Sequence, residues 1–356
     1  MPRLNLKVFG WTLAAALGTA AVAASSRPLF EPVLKENFPD PFILPVGGNY
    51  LGYATNTANR NVPMVVSTDL VRWRKLMDES NPKLLYDAMP TLPAWAKPGF
   101  TWAPEVLALD KGYVLYFSAR HRKRDIQCVG AATSSDPLGP FVSTSAEPLV
   151  CQPELGGTID AHPFRDTDGK LYLYYKNDGN NPRFLKPSQI WAQRLSADGL
   201  RLEGTATPIV KNDTHWEWRV VEAPVMVRHA GGYTLFFSAN HFGWEADQRL
   251  SNYGTGYARC QGPMGPCTDA PENPWLRSYF TPSAGCLSGP GHPTVFQGGG
   301  RRYIAFHAWD ATAGCRPAKS ERHLYVAPLG FEGAKPIIGT GLRRAISATG
   351  KPARKD

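Results

Sequence analysis

The chain has 356 residues, of which 43% are hydrophobic, and it carries a formal net charge of +9. This much apolar sequence is enough for a large core, and the length suits one all-β domain as well as two smaller domains. Because the lysines and arginines are scattered, we do not expect a nucleic-acid partner, whereas a basic surface suits acidic polymers, including acidic plant polysaccharide. Only the segment from Arg343 to Lys355 is locally basic, and we interpret residues 341–356 as a basic, solvated C-terminal tail.

The N-terminal segment predicts export. Arg3 and Lys7 precede an uncharged stretch from Val8 to Ser26, and Ala21-Val22-Ala23 offers a small-residue cleavage site. A membrane anchor is the alternative, since the stretch approaches spanning length. Its richness in Ala, Gly and Thr favours a cleaved signal peptide over residues 1–24 and a secreted protein, extracellular or periplasmic. No other segment is apolar enough to cross a membrane, so none is expected to after cleavage.

Five segments share one layout, in which a polar residue near a proline precedes an apolar strand, a turn and an aromatic, alternating strand. A weaker second hairpin follows, for example in residues 64–76 and 191–204. Two hairpins per repeat make a four-stranded unit, and five such units around an axis make a propeller. We therefore predict an all-β fold, a single five-bladed β-propeller over residues 28–340. A β-sandwich is the alternative, but it does not predict so long a period.

The leading polar residues of the five repeats are expected to converge at one mouth of the central channel. They are Asp40, Glu105, Asp160, Glu222 and His292, separated by 65, 55, 62 and 70 positions. Carboxylates gathered without lysine or arginine raise one another's pKa, and proteins tolerate this where catalysis or a metal uses it. The pattern therefore predicts an active site at the mouth, which the long connections 77–101 and 240–253 are expected to shape.

Six cysteines follow the predicted signal peptide, an even number that suggests disulfide bonds in an exported chain. We expect neighbours in sequence to pair, as Cys128–Cys151, Cys260–Cys267 and Cys286–Cys315. Buried free thiols are the alternative. No Cys-x-x-Cys or paired Cys/His spacing suggests zinc.

Seven short motifs occur in blade order. They are Pro39-Asp40-Pro41, Ser67 to Trp73, Thr101-Trp102-Ala103-Pro104-Glu105, Ile159 to Phe164, Val221-Glu222-Ala223-Pro224, Gly289-Pro290-Gly291-His292 and Phe306-His307-Ala308-Trp309. In this order and spacing the chain resembles glycoside hydrolase family 43, over roughly the whole mature sequence. The resemblance implies a five-bladed propeller that acts on arabinose- and xylose-containing polysaccharides.

The resemblance also implies roles for three acidic residues. Asp40 would be the general base that activates water, and Glu222 the general acid that protonates the leaving oxygen. Asp160 would hold Glu222 in place and keep its pKa high. Hydrolysis with inversion needs this pair, a proton donor on one side of the glycosidic bond and a base opposite, with room for water between them.

Other positions have two interpretations each. Trp102 is expected either to form a wall against a sugar ring or to lie in the core. Glu105 lines the rim or caps a turn, and Arg322 contacts the sugar or makes an exposed salt bridge. His307 is placed among the substrate-binding residues by its motif. The resemblance implies that His292 holds a water or a structural calcium ion in the channel, and a satisfied core histidine is the alternative.

The function that the resemblance implies is an inverting glycosidase, and from the resemblance we expect it to act on α-L-arabinofuranosyl linkages first and β-xylosyl linkages next. Its partners would be arabinan, arabinoxylan or derived oligosaccharides, and no cofactor would be required beyond a possible calcium ion. Retaining fructan and sucrose hydrolases are disfavoured, since Phe38-Pro39 precedes Asp40 where they carry Asn-Asp-Pro-Asn. A phosphorylase-type propeller is a further possibility, but it would need a basic phosphate pocket, and the sequence does not indicate one. A non-catalytic sugar-binding propeller is the alternative from another class, because a fold hosts many functions.

Overall fold

The computed structural model describes residues 29–57, 59–244, 248–282, 285–312, 314–340 and 342. The predicted signal peptide, residues 1–24, lies outside the described residues, as does the predicted tail, residues 341–356, apart from Leu342. Within the described part, no helix combines the length and apolarity needed to span a membrane.

Five antiparallel sheets follow one another along the chain and form the blades of a five-bladed β-propeller, as predicted. The first blade contains β1 (Phe42–Val46), β2 (Asn49–Tyr53), β3 (Met64–Ser67) and β4 (Arg74–Lys75), followed by the hairpin β5 (Met77–Asp78) and β6 (Asn81–Leu85). The second contains β7 (Ala96–Leu109), β8 (Gly112–His121) and β9 (Gln127–Ser134). The third contains β10 (Thr158–Arg165), β11 (Leu171–Asn177), β12 (Gln189–Leu195) and β13 (Leu202–Lys211).

The fourth blade contains β14 (Val221–His229), β15 (Gly232–Ala239), β16 (Gly254–Cys260) and β17 (Cys267–Asp269), followed by the hairpin β18 (Tyr279–Thr281) and β19 (Gly285–Leu287). The fifth contains β20 (Gly291–Gly298), β21 (Arg301–Ala311), β22 (Pro317–Glu332) and β23 (Lys335–Ile338). Short 3-10 helices occur at Pro153–Leu155 and His215–Glu217. Each blade therefore repeats the two-hairpin plan, and in the second blade isolated bridges at Val142 and Val150 continue the sheet.

The second strand of a blade carries large side chains on both faces because each face meets a different neighbour. In β8, Leu115 and Phe117 lie in an apolar cluster with Tyr53 of the first blade. Tyr116, between them in sequence, lies in a second cluster with Leu173 of the third blade. Successive side chains of a strand point to opposite faces, so one aromatic run fills two interfaces between blades. Burial of each such side chain stabilises the fold by about 1.5–3 kcal/mol.

The three disulfides join the cysteine pairs that the sequence predicts. Cys260 and Cys267 face each other in register across β16 and β17. The other bonds are Cys128–Cys151 and Cys286–Cys315, and no free cysteine occurs among the described residues.

The ring closes where the segment before β1 meets the last blade. The backbone N–H groups of Val33 and Phe38 donate to the carbonyl oxygens of Leu324 and Arg322, both at 2.8 Å. This contact brings Asp40, which follows two residues after Phe38, to the edge of the fifth blade.

Candidate active site

Each inner strand is preceded or interrupted by a non-glycine residue in the left-handed conformation. These residues are Asp40, Ala103, Asp160, Ala223 and His292, with φ between 45° and 57°. In the second to fifth blades the strand register shifts at the same place, so the chain bulges there. Such a conformation costs about 1–3 kcal/mol per residue and persists only where the surroundings enforce it. Five repetitions at one end of the ring indicate a functional site there.

The backbone N–H of four of these residues is held by a side chain of the neighbouring blade. Thr55 Oγ1 accepts from Ala103 at 2.9 Å, Ser118 Oγ from Asp160 at 3.1 Å, Ser238 Oγ from His292 at 2.8 Å and His307 Nδ1 from Asp40 at 3.1 Å. These four acceptors come from the second strand of their blades or the residues directly after it. They couple the orientation of each strand start to the adjacent blade.

Lys176 occupies the matching position on β11 and makes the third blade an exception. An ammonium group cannot accept a hydrogen bond, so the N–H of Ala223 donates to Asp160 Oδ2 instead, at 3.0 Å. Lys176 Nζ in turn donates to Glu222 Oε2 at 2.9 Å, and its side chain is completely buried. Because this position holds a lysine and not an acceptor, Asp160 is oriented by the N–H of Ala223, and Glu222 gains a positively charged partner.

Asp40 is held ionised. Burial by itself raises the pKa of this carboxyl, but the Arg322 guanidinium, His292, His307 and the Thr55 hydrogen bond together outweigh burial and hold the pKa well below its usual range. Arg322 Nη1 lies 2.7 Å from Oδ1 and Nη2 lies 3.4 Å from Oδ2, and the Thr55 hydroxyl donates to Oδ2 at 2.5 Å. An ionised carboxylate facing a cavity is what a general base requires.

The pKa values of Asp160 and Glu222 shift in opposite directions. Burial and, less strongly, the Glu222 carboxylate raise the pKa of Asp160 to about 7, against the opposing effects of His292 and Lys176. Burial acts in the same direction on Glu222, but the charge and hydrogen bond of Lys176, with smaller effects of Tyr253 and His292, outweigh it and leave the pKa of Glu222 below its ordinary value. These directions favour a proton on Asp160 over one on Glu222, whereas the sequence analysis expects Asp160 to keep the pKa of Glu222 high. The cause is Lys176, which the sequence analysis did not place in the site.

Tyr253 links the two ends of the site. Its hydroxyl donates to Glu222 Oε1 at 2.7 Å, and its ring stacks on His307 with 6.1 Å between centroids and 8° between planes. His307 in turn accepts the N–H of Asp40. Glu222 and Asp40 are thus connected through the side chains of Tyr253 and His307.

These groups face one cavity of about 520 Å³. The cavity is lined by Asp40, Asp160, Glu222, Trp102, His292 and Arg322, six of the residues that the sequence singles out. Phe242, from the long connection after β15, adds a half-exposed aromatic ring to the wall, with the Arg322 guanidinium carbon 5.8 Å from its centroid. The combination of carboxylates and flat apolar rings suits a sugar.

Glu105 and His307 do not line this cavity. Glu105 comes two residues after Ala103, which is the residue equivalent to Asp40, and its Oε2 lies 2.7 Å from His162 Nδ1 in a buried pair. The expectation that Glu105 lies in the ring of leading residues was therefore wrong by two positions of strand register. His307 is 1% exposed and lies behind Asp40, where it orients the backbone rather than facing a ligand.

The site contains residues that the sequence analysis missed, Thr55, Lys176, Phe242 and Tyr253. Lys176 ends the otherwise apolar and aromatic run Leu171–Tyr175, and a lysine at the end of a buried strand was the available signal. Thr55 also follows the second strand of its blade, in the polar place that every blade repeats. Tyr253 had no such signal, because it is one of several buried tyrosines.

Among the described residues, no cluster of carboxylate oxygens surrounds His292 that could bind the calcium ion expected there. His292 Nδ1 lies 3.4 Å from Asp40 Oδ1, which Arg322 already neutralises. Calcium takes six to eight oxygen ligands, and neither three-residue group with metal-ligand spacing in the described chain includes His292. We therefore assign no step to calcium at this position.

A model of glycosyl hydrolases family 43 matches residues 30–332. The chain belongs to this family. It is 26% identical over 304 residues to a β-D-galactofuranosidase of Aspergillus niger, a match that covers 81% of this chain and 78% of the relative. It is 24% identical over 302 residues to an extracellular endo-α-(1→5)-L-arabinanase of Bacillus subtilis, covering 76% of this chain and 58% of the relative.

Solved structures agree with the family 43 assignment. A thermostable family-43 glycoside hydrolase has a TM-score of 0.72 and 27% identity, covering 92% of this chain and 99% of that one. An endo-1,4-β-xylanase from Bacteroides thetaiotaomicron has a TM-score of 0.67 and 26% identity, covering 88% and 96%. The protein is a family 43 glycosidase with the propeller fold of these relatives.

Gly291→Ala is expected to reduce kcat of this family 43 glycosidase by about tenfold or more without unfolding it. A Cβ at position 291 would overlap the ring of Tyr253 and displace its hydroxyl from Glu222. A hydrogen bond to a charged group contributes about 1.5–3 kcal/mol. Steady-state kinetics and thermal unfolding measure both effects.

Gly330→Ala is the matched control, since a Cβ there meets only the Ile337 carbonyl oxygen at 4.0 Å. Tyr253→Phe removes the same hydroxyl without the overlap and should lose kcat to a similar extent. Wild-type kcat in both Gly291→Ala and Tyr253→Phe would show that the Tyr253 hydrogen bond does not support turnover.

Proposed function

We propose that this glycosidase hydrolyses α-L-arabinofuranosyl linkages of plant polysaccharides, or of oligosaccharides derived from them, with inversion at the anomeric carbon. Asp40 acts as the general base and Glu222 as the general acid. Asp160 orients Glu222 and shares with it the proton that the leaving oxygen receives. The observation that supports this most directly is the contrast between the two ends of the cavity. Asp40 is paired with a cation and stays ionised, while Asp160 and Glu222 together retain a proton near neutral pH.

At the base end, the ionised Asp40 accepts a proton from water as the water oxygen attacks the anomeric carbon. Arg322 and Thr55 orient both carboxylate oxygens, and the side chain lines the cavity, where water can reach it. The bond between water oxygen and carbon forms while the glycosidic bond breaks, and Asp40 ends the step protonated.

At the acid end, the leaving oxygen needs one proton, which Glu222 donates. In the free enzyme Lys176 favours the ionised form of Glu222 and the proton resides on Asp160. Glu222 must therefore receive this proton from Asp160 before it donates it to the leaving oxygen, so the two carboxyls act as a pair that must hold one proton for turnover. Because Asp160 accepts the N–H of Ala223, the residue after Glu222, the pair has a fixed relative position.

The substrate class rests on the relatives and on the wall of the cavity. The Bacillus subtilis relative is an arabinanase and the Aspergillus niger relative a galactofuranosidase. Trp102 and Phe242 offer rings that pack against a sugar. A β-xylosyl substrate is the second candidate, because a Bacteroides ovatus relative is a xylosidase/arabinosidase and a structural neighbour is an endo-1,4-β-xylanase.

The reaction proposed here uses side chains and water and requires no cofactor. Export is proposed with it, on the sequence of the predicted signal peptide and on the extracellular location named for the Bacillus subtilis relative. The three disulfides suit an oxidising compartment.

The test is hydrolysis of 4-nitrophenyl α-L-arabinofuranoside, 4-nitrophenyl β-D-xyloside and linear arabinan by wild type and Glu222→Gln. Wild type is expected to release sugar from the arabinofuranoside and from arabinan, and product sizing shows whether it cuts internally or from chain ends. NMR of the first product gives its anomeric configuration, and a retained configuration contradicts the base assigned to Asp40.

Loss of the general acid has a specific signature. Glu222→Gln is expected to lose about 10²–10⁴-fold in rate on arabinan, but much less on a 2,4-dinitrophenyl glycoside, whose leaving group needs no proton. Glu203→Gln is the matched control, because Glu203 lies on β13 with a half-exposed side chain that pairs with Arg194. No hydrolysis in a broad polysaccharide panel, with sugar binding retained, would favour a binding propeller instead.

A further inference from the structure

One wall of the active-site cavity is polar and comes from the second and third blades. Arg120 lies near the end of β8, Gln127 begins β9 opposite Arg120 in register, and Asn180 lies in the connection after β11. These three residues, which we call the polar wall, all line the cavity. Ser118, which accepts the N–H of Asp160, lies two residues before Arg120 on the same face of β8. The polar wall therefore borders the catalytic residues, although the proposed reaction assigns it no role.

Each residue of the polar wall has a buried polar atom without a hydrogen-bond partner among the described residues. These atoms are Arg120 Nε, Gln127 Oε1 and Asn180 Oδ1. Gln127 is 2% exposed, and its other amide atom, Nε2, makes a long hydrogen bond of 3.4 Å to the carbonyl oxygen of Phe100. Because a buried polar atom without a partner costs free energy, the three atoms together indicate a polar ligand.

Arg120 is also the cation of the cavity that is least neutralised. The other lysine and arginine that line it, Lys176 and Arg322, each have a nitrogen within 2.9 Å of a proposed catalytic carboxylate. Arg120 Nη1 lies 3.7 Å from Asp125 Oδ1, and the Asp125 side chain is 53% exposed and also pairs with Arg183 at 3.2 Å. An exposed, shared pair of this length is weak, so the charge of Arg120 is available to a ligand.

We propose that the polar wall binds a uronic acid residue of the substrate. The Arg120 guanidinium pairs with its carboxylate, and Gln127 Oε1 and Asn180 Oδ1 accept its hydroxyl groups. This inference rests on the proposed function and specifies the substrate as an acidic, arabinose-bearing polysaccharide. A guanidinium binds a carboxylate through two parallel hydrogen bonds. The Arg120 guanidinium carbon lies 4.3 Å from the centroid of the Phe100 ring, and this stacking restrains the guanidinium before a ligand binds.

The combination of one cation and two amide oxygens selects this ligand class. A neutral sugar would satisfy both amide oxygens and leave the charge of Arg120 without a partner. A sulfate or phosphate ion would pair with Arg120 but would not satisfy two amide oxygens, which need donors. Glucuronate and galacturonate each supply a carboxylate and several hydroxyl groups.

The charge around the polar wall supports an acidic ligand. Asp178 also lines the cavity next to Asn180, but Lys176 Nζ lies 3.7 Å from its Oδ1 and offsets part of its charge. Exposed basic side chains occur in the segments next to the polar wall and attract an acidic polymer to this side of the mouth. They are Lys97, Arg122, Lys123, Arg124, Arg183 and Lys186.

The experiment compares two arabinose-bearing polysaccharides, one with glucuronate and one with galacturonate residues. Each is used in its native form and after chemical reduction of its carboxyl groups to primary alcohols, which removes the charge and leaves the linkages unchanged. For at least one of the two, we expect wild-type kcat/KM to be about tenfold or more higher on the native polymer than on its reduced form. The polymer that gives this ratio identifies the uronic acid. Ratios near one for both polymers would overturn the proposal.

Replacement of Arg120 tests which residue causes the preference. Arg120→Gln is expected to bring the ratio of native to reduced polymer close to one, and Arg120→Lys to retain part of it, since lysine lacks the planar fork. Arg122→Gln is the matched control, because Arg122 is exposed and does not line the cavity. Thermal unfolding shows whether each variant is folded. A wild-type ratio in Arg120→Gln that high salt abolishes would assign the preference to the basic surface and overturn the proposal.

Binding separates this inference from the proposed function, because it needs no turnover. Calorimetry compares D-glucuronate and D-galacturonate with D-glucose and D-galactose, on wild type and Arg120→Gln. We expect one uronate to bind wild type about tenfold or more tightly than its neutral counterpart, and Arg120→Gln to lose this difference. If that holds while no arabinofuranoside is hydrolysed, the uronate site stands and the proposed function fails. Hydrolysis of arabinan with neither uronate binding nor a preference for acidic polymer overturns the uronate site alone.

Discussion

Replacing Asp40 by asparagine is expected to reduce kcat by about 10³-fold on every glycoside, with KM changed little. Asparagine keeps the size of the side chain but cannot take a proton from water. Because the base acts on water and not on the leaving group, the loss should be equal for arabinan, 4-nitrophenyl and 2,4-dinitrophenyl substrates. This uniform loss distinguishes Asp40 from Glu222, whose replacement should depend steeply on the leaving group.

Circular dichroism and thermal unfolding are needed beside the kinetics, since Asp40→Asn leaves Arg322 without its ion pair. Asp198→Asn is the matched control, because Asp198 lies outside the cavity, pairs with the exposed Arg201, and accepts hydrogen bonds from Ser196 and Leu200 that an asparagine oxygen can also accept. A variant that folds and keeps more than about a tenth of the wild-type kcat would exclude Asp40 as the base, since a general base contributes about 10²–10⁴-fold.

Replacing Lys176 by methionine is expected to move the alkaline limb of the kcat/KM profile to higher pH and to destabilise the protein most at high pH. In the wild type the limb should lie near the pKa of about 7 of Asp160, since turnover needs one proton on the Asp160–Glu222 pair. The Lys176 ammonium lowers the pKa of both carboxyls. Without it the pair keeps its proton to higher pH.

The stability effect follows from the same charges. In the wild type the lowered pKa of Glu222 contributes stability above the unfolded pKa, and this contribution is lost as pH falls through the folded value. In Lys176→Met the buried carboxylates of Glu222 and Asp178 lose their countercharge, so stability falls as pH rises instead. Breaking a buried ion pair from one side costs about 3–5 kcal/mol.

The Tm difference from wild type should therefore be small at pH 5 and large at pH 8. Lys170→Met, which removes an exposed pair with Asp168, should change neither the limb nor the Tm. A Tm difference that does not vary with pH, together with an unmoved alkaline limb, would assign Lys176 to packing alone.

The architecture was predictable because local signals agree in every repeat. Gly47 and Gly48, both at positive φ, form the turn between β1 and β2. In the sequence the same two glycines separate an apolar run from an aromatic run. The cysteine pairs were predictable because Cys260 and Cys267 end one short hairpin. In these cases neighbours in sequence are neighbours in space, and no long-range information is needed.

The register of the inner strands required information that the leading carboxylates do not contain. Four of the five left-handed residues precede a proline, which disfavours the right-handed helical region for the residue before it. Alignment on proline pairs Ala103 with Asp40, whereas alignment on the acidic residues pairs Glu105 with Asp40. Lys176 was missed for a related reason, because its role depends on a contact with Glu222 of the next blade.

Because the ring closes between the first and fifth blades, catalytic activity is expected only after all five blades have assembled. Asp40 contacts His307 and Arg322 from the opposite end of the chain, 267 and 282 residues away. The hydrogen bonds at Glu222 come from Lys176 and Tyr253, in the third blade and the connection after β15, but the ring of Tyr253 stacks on His307 of the fifth blade. Both ends of the site therefore depend on the last blade, and Asp40 acquires its ion pair only when that blade docks against the first.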